Sequence, residues 1–508
     1  MAIAFHDVVD RREERMEDAV TTQSLVSFFD FLVADGWTAV SLDQVAAARA
    51  GGAPLPDKAV LLTFDDGYRS MYERVYPLLL AYRMPAVAAV VTSWLDVPAN
   101  GVVDYGGKPM PRSAFLTWDE VRQMQASGLV EIASHSHDLH RVVLMNAEGN
   151  TAPAARTWRY DPATGQIEDD TAHRNRVASD LSISRARIAA ETGRPPRALV
   201  WPFGRFSGPA VAAAEGAGFT MALTLEPEAA DARQAMALHR YYPTRDPDLG
   251  TIMFNLRFAP PRRETVRLAC IDPARFLTAD DPAARDAVLG DLIEQVRLLG
   301  ATGVILPVVD GAGVPLNGNS FGRLARQLGT RAGVEVYGGL DQAVLDQLGG
   351  SRAAELLAAA TRAAPIDGFV LPAAAGMLAQ APQRASSPAD RRLARTGADH
   401  ALLRLFHPAL TLDPRLELIL AGFGTPPAFA DRQILPAPEQ QLKALGWRAP
   451  EHSGRIVELL SGTPDAIGQQ VQRLQREGAS GFALCPWHSD QASVLAPAFS
   501  SATFPWRP

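Results

Sequence analysis

Cysteine is scarce in this chain: Cys270 and Cys485 are the only two among 508 residues. They lie far apart, each in an apolar, strand-like stretch, so a pair of buried thiols is the expectation and the redox compartment stays open. Long hydrophobic runs are missing too. No stretch approaches the length of a membrane span. No charged segment followed by an apolar one, of the signal-peptide kind, precedes the strand at His6, so the expectation is that a leader was removed or the start trimmed. Basic runs and zinc-knuckle spacings are absent, and a formal charge of −7 disfavours a polyanion, which excludes nucleic acid as a partner. No short repeat is evident.

What is there is a mildly acidic chain, 47% apolar, long enough for two or more domains. Two short words in its first third carry chemistry, TFDDGY at Thr63 to Tyr68 and SHSHDLH at Ser134 to His140. Lys58 to Phe64 reads as a buried strand that Gly67 ends, which sets Asp65 and Asp66 at its C-terminal mouth, where sites of α/β proteins collect. Neighbouring residues diverge there, so one carboxylate can bind a metal while the other moves protons. Val130 to Ser134 is strand-like as well, and His135, His137 and His140 follow it within one short turn. A carboxylate with two imidazoles leaves coordination positions open for water and substrate, which is the pattern of a catalytic site. Asp before Gly is also ordinary turn chemistry, and histidines also serve as solvated caps. Three of the chain's ten histidines within six residues, together with the paired aspartates, favour the metal site.

TFDDGY, the SHxxxxH arrangement and Trp201-Pro202-Phe203-Gly204 resemble, in order and spacing, the motifs of the polysaccharide deacetylases, carbohydrate esterase family 4. The chain is most similar to their PgaB-type branch, the poly-β-1,6-N-acetylglucosamine N-deacetylases of biofilm export. In that branch the domain is circularly permuted and a histidine motif comes first, as Ala4 to Val8 does around His6. Gly51 to Lys58 and Phe115 to Trp118 resemble that branch also. The resemblance implies that Asp66, His135 and His140 hold a divalent metal (zinc, cobalt, nickel or iron), with Asp65 as general base and His6 as general acid. It gives His137 no ligand role. The five-residue step from His135 to His140 is shared with that branch. Arg197 is expected to orient Asp65, and Trp201 and Phe203 to wall the site.

Helical periodicity at Thr22 to Ala34 and Leu42 to Ala50 alternates with strand-like runs at Ala86 to Val91, Val130 to Ala133 and Thr220 to Leu225, the beat of a parallel-stranded barrel. The resemblance implies a permuted, incomplete (β/α)7 barrel over residues 1–263. Between His140 and Val177 lies a polar stretch of little periodicity, either a lid or a surface insertion. Asp246 to Gly250 and Ala259 to Arg263 break the pattern, and a second domain, 264–508, is expected to begin near Glu264. There the beat restarts at Val266 to Ile271, Gly303 to Val309, Val334 to Tyr337, Gly368 to Leu371, Leu416 to Leu420, Ile456 to Leu460 and Gly481 to Cys485, with a helix around Leu289 to Leu299: a (β/α)8-like barrel.

In the PgaB-type branch the second barrel resembles a glycoside hydrolase. Here Pro273 and Ala274 follow Asp272 where a further acid is expected, and Pro372 to Gly376 replaces an acidic cluster. Glycoside cleavage needs a carboxylate pair. Asp272 and Asp310 are therefore expected to be loop carboxylates in a domain that has lost hydrolysis and keeps at most glycan binding. Trp447 is expected to pack, and Trp487 and His488 follow the last strand.

The resemblance thus implies a metal-dependent N-deacetylase of poly-N-acetylglucosamine, periplasmic or outer-membrane-associated, monomeric, and working beside outer-membrane export machinery. Two alternatives stand: a non-catalytic glycan-binding or export module, and a deacetylase of a chitin-like, peptidoglycan or other acetylated glycan.

Overall fold

A computed structural model describes the chain except for residues 12–16, 226–234, 259–265, 280, 373–400, 422–431, 436–455, 461, 478–480, 486, 488–490 and 500–508. Trp447, His488, the boundary run at 259–263 and the stretch at 373–376 lie outside the described residues. The chain divides into two compact units, one of residues 1–143, 152–159 and 168–262, the other of 144–151, 160–167 and 263–508.

In the first unit, parallel strands run in the order Ala2–Phe5, Ala59–Phe64, Ala86–Val90, Val130–Ser134, Ala198–Val200, Met221–Leu223. Ala59–Phe64 is buried at every position, as a strand covered on both faces must be. Helices supply the cover. Thr22–Ala34 starts at Thr21, whose side chain accepts from the Ser24 N–H, and buries Leu25, Phe28, Phe29 and Leu32, the 3.6-residue stripe of an amphipathic helix. Trp118–Ala126 opens with a capping box between Thr117 and Glu120.

Among the described residues, the sheet closes on itself without a regular last strand. Leu238 bridges Leu223 and Tyr241 bridges Ile3, both in parallel sense. Thr224 N–H donates to the Leu238 carbonyl at 2.9 Å and Ala4 N–H to that of Tyr241 at 2.8 Å. Residues 238–241 are thus the closing stave of an incomplete barrel. The polar stretch after His140 contains two small hairpins, Val142–Leu144 with Thr151–Pro153 and Tyr160–Asp161 with Gln166–Ile167. The long helix Asp170–Thr192 then begins, capped by Asp169.

The second unit holds a closed barrel of eight parallel strands. All seven expected runs are present, and Arg432–Leu435 is the eighth, too short and mixed to signal itself by periodicity. Burial among the described side chains centres on Leu268, Tyr337, Ile419 and Ala483.

The two cysteines correct the sequence expectation. They are not free thiols but a disulfide, Cys270 to Cys485, with Cα atoms 5.1 Å apart. The reason is register: Val266 pairs Gly481 and Ala269 pairs Leu484, so the next step along both strands sets the cysteines side by side. Closing the barrel brings together what 215 residues of sequence separate. No helix among the described residues is long and apolar enough to cross a membrane.

Candidate metal centre and active site

The strand Ala59–Phe64 delivers Asp65 and Asp66, 2% and 0% exposed, to the barrel mouth. Asp66 has φ +70°, a left-handed conformation that non-glycine residues seldom adopt, and Gly67 follows at +71°. This turn sends the two carboxylates to different partners.

Asp66 Oδ1 lies 3.1 Å from His135 Nε2 and 3.2 Å from His140 Nε2. His135 Nδ1 donates to the Val200 carbonyl at 2.8 Å, which fixes its tautomer and leaves Nε2 as a bare lone pair. Buried Asp66 Oδ1 has no hydrogen-bond partner, and the ligand atoms of the three residues all lie within 4.8 Å of one another. One carboxylate oxygen and two imidazole nitrogens around a common point fit a divalent cation. His137 faces away, with Nδ1 2.9 Å from Thr92 Oγ1.

The histidine turn is held from the long helix. Asp180 accepts from the N–H groups of His137 at 2.9 Å and Asp138 at 2.7 Å. Ser136 takes φ +74° within the turn, and its N–H donates to Ser134 Oγ at 3.0 Å. This geometry accommodates the five-residue step between the two ligands. Burial pushes the Asp180 carboxyl up to about 6, against the pull of its two N–H donors.

Asp65 meets a fork. Arg240 Nη1 donates to Oδ1 and Nη2 to Oδ2, each at 2.8 Å, while Arg240 also reaches Thr63 Oγ1 at 2.7 Å and the Thr224 carbonyl at 3.0 Å. Burial alone would raise the Asp65 carboxyl, but the Arg240 charge and its hydrogen bonds outweigh it and hold the group below the usual carboxylate range. Asp65 therefore stays ionised. His6 Nε2 lies 4.0 Å from Asp65 Oδ2, and the His6 ring packs 4.6 Å from that of Tyr242.

Two expectations are corrected here. Arg197 does not touch Asp65: its Nη2 pairs Glu131 at 2.7 Å and Asp43 at 2.8 Å. It precedes the strand Ala198–Val200, so it stands at the end of the parallel sheet opposite the mouth; Arg240, on the closing stave, takes the role. Trp201 is no wall for a ligand. It is fully buried and stacks 5.5 Å from Phe206 within an apolar cluster that includes Leu139 and Val143. Phe203 does border the site, 36% exposed at φ +58° with its ring 4.4 Å from His140.

Sequence reasoning also missed Tyr105. Its hydroxyl donates to Asp66 Oδ2 at 2.6 Å, with Asp18 Oδ2 2.9 Å away. Burial, reinforced by the nearby Asp66 charge, holds the phenol far above its ordinary pKa, so it remains a donor. The only local signal was the Gly106-Gly107 hairpin turn that follows it.

Residues 52–222 match the polysaccharide deacetylase family model. The matched residues lie mainly within the first unit. The chain is 32% identical over 351 residues to a poly-β-1,6-N-acetyl-D-glucosamine N-deacetylase of Escherichia coli, a match covering 66% of this chain and 52% of that protein. A Staphylococcus aureus protein of the same description is 22% identical over 174 residues, covering 34% of this chain and 50% of the relative. The chain thus spans about half the length of the curated relatives it matches. A solved de-N-acetylase from Aggregatibacter actinomycetemcomitans shares 38% identity, covering 50% of this chain and 98% of that one, at a TM-score of 0.47.

In the second unit the two strand-end acids serve their own loops. Asp272 Oδ1 accepts from the Ala274 N–H at 2.9 Å. Asp310 Oδ1 accepts from those of Ala312 and Val314, each at 2.9 Å. Trp487 is 3% exposed.

Proposed function

We propose that this chain is a metal-dependent hydrolase that removes N-acetyl groups from poly-β-1,6-N-acetylglucosamine during export of a biofilm polysaccharide. One observation carries the reading: a carboxylate kept ionised by a buried arginine fork stands beside a separate Asp-His-His set suited to a cation. A pure binding module has no need of that second aspartate. Asp66, His135 and His140 would hold zinc, cobalt, nickel or iron, which when bound raises the acidity of water and polarises an amide carbonyl. Asp65 takes the proton of the attacking water. His6 gives a proton to the departing nitrogen, since an amine leaves poorly until protonated. An N-acetylated sugar residue and water become acetate and an amino sugar, the C–N amide bond being the one broken.

The second barrel, on this reading, binds glycan without cutting it, because Asp272 and Asp310 are engaged by their own loops. The Cys270–Cys485 disulfide fits an oxidising compartment such as the periplasm. The acidic chain suits a product bearing new ammonium groups. The chain works as a monomer beside outer-membrane export machinery.

Acetate release from N-acetylglucosamine oligomers tests the reading. A chelator should stop it, added metal should restore it, and Asp65→Asn should lower kcat by about 10²–10⁴-fold, the usual contribution of a general base. Undiminished turnover by Asp65→Asn would remove the base from this mechanism. Comparison of β-1,6 with β-1,4 oligomers decides the linkage.

A further inference from the structure

Tyr105 touches two of the three candidate ligands at once. Its hydroxyl lies between two carboxylates, 2.6 Å from Asp66 Oδ2 and 2.9 Å from Asp18 Oδ2, so the nearer contact is the one to Asp66, and its ring stacks 5.7 Å from that of His140 at an interplanar angle of 28°. The rings of Trp94 and Tyr68, 5.4 and 5.7 Å away, hold it from other sides. The chain reaches this position through a two-residue hairpin between Val102–Tyr105 and Lys108–Pro111. Gly106 and Gly107 turn it at φ +61° and +89°, and Asp104 Oδ1 accepts from the Gly107 N–H at 2.7 Å. Tyr105 is the last residue before that turn, so the geometry of the hairpin sets where its hydroxyl ends.

A carboxylate can ligate with one oxygen or with both, and a donor already holding one oxygen decides between them. Asp66 Oδ2 is occupied by the phenol; Oδ1, without a partner, faces both imidazoles. We propose that Tyr105 is a positioning residue for the cation. By holding Asp66 Oδ2 it presents Oδ1 alone to the two histidines, fixing one-oxygen ligation and raising the affinity of the centre. The inference rests on the metal reading of Asp66, His135 and His140 and adds a residue to it.

Tyr105→Phe removes the O–H and keeps the ring, so packing against His140 survives. Tyr82→Phe is the matched control, since Tyr82 also donates to an aspartate, Asp30, at 2.6 Å but on an exposed surface. Dissociation constants for Co²⁺ and Zn²⁺ are measured by competition with a chromogenic chelator, alongside thermal unfolding of the metal-free proteins. Tyr105→Phe should bind about 10–100-fold more weakly, the usual effect of losing a group that orients a ligand. Its metal-free melting point should fall only modestly, since the buried Asp66 Oδ2 loses a donor, and Tyr82→Phe should bind as wild type does. Equal affinities for Tyr105→Phe and wild type would overturn the inference and leave the metal reading standing. A metal-free variant already unfolded at the temperature of the binding assay would also overturn it, by making the weaker binding a loss of fold. A wild-type protein that takes up neither cation would sink the metal reading first, and this inference with it.

Discussion

The two barrels return to their first strands by different means. In the second, Val266–Cys270 pairs directly with Gly481–Leu484, and one step beyond the ladder a disulfide joins Cys270 to Cys485. In the first, no regular strand among the described residues spans the gap; residues 238–241 bridge it by isolated pairs at Leu238 and Tyr241. That looser seam carries Arg240, fully buried, whose fork grips Asp65. One seam is sealed by sulfur and serves only the barrel. The other gives up ladder regularity and gains a buried charge at the chemistry. The aspartates of the two mouths differ in the same way: Asp65 answers to a residue 175 positions away, while Asp310, among the described residues, accepts from its own loop.

Breaking the charged seam should have the largest effect. Arg240→Ala leaves Asp65 ionisable, buried and unpaired, and loss of one partner of a buried pair costs about 3–5 kcal/mol. Chemical denaturation should show that loss in the first unit, and the cost should shrink when Asp65 is also Asn. Arg240→Lys should recover only part of it, because an ammonium cannot bridge both oxygens of Asp65. Near-wild-type stability of Arg240→Ala would mean that the seam does not depend on this charge.

Opening the sulfur seam comes next. Chain-entropy arguments for a closure of 215 residues give about 5 kcal/mol, and measured disulfides deliver about 2–4 kcal/mol. Cys270→Ser, or a reductant applied to wild type, should destabilise the second unit by that amount. Unfolding of the first unit should not move, since it holds no cysteine. A common shift of both transitions would end the contrast between the seams.

Much of this was legible in sequence because it is local. The buried strand before Asp65, the histidine turn and the helix stripe at Leu25, Phe28, Phe29 and Leu32 each announce themselves within a dozen residues. What escaped depends on closure. Cys270 and Cys485 read as separate thiols until the first and last strands are side by side, and Arg432–Leu435 is too short to show a period. Arg197 precedes a strand whose parallel direction puts it at the wrong end of the sheet, and Arg240 sits on a stave with no strand period to announce it. Tyr105 reaches Asp66 from a hairpin with no motif of its own. Trp201 shares a motif with Phe203, yet the turn at Phe203 sends one ring inward and the other to the site.

Acid sharpens the comparison further, because one unit leans on a titrating group near its site while the other's staple does not titrate. Asp180, on the long helix, holds the histidine turn through the N–H groups of His137 and Asp138. Its carboxyl is pushed up to about 6 in the folded protein, against about 3.9 when unfolded. The folded state therefore binds this proton more tightly than the unfolded state does. The stability it contributes is full below about pH 4, is lost as pH rises to about 6, and is constant above. A shift of about two units corresponds to on the order of 3 kcal/mol. Asp180→Asn cannot titrate, so the difference in unfolding free energy between wild type and this variant should drift across pH 4–6 and level off beyond it. A difference that stays flat through that window would show that the two N–H bonds fully offset burial. If the drift is present, the protein at neutral pH carries an ionised Asp180 at a cost in stability, and the return is a histidine turn held by two charge-assisted bonds in the shape that brings His135 and His140 to one oxygen of Asp66.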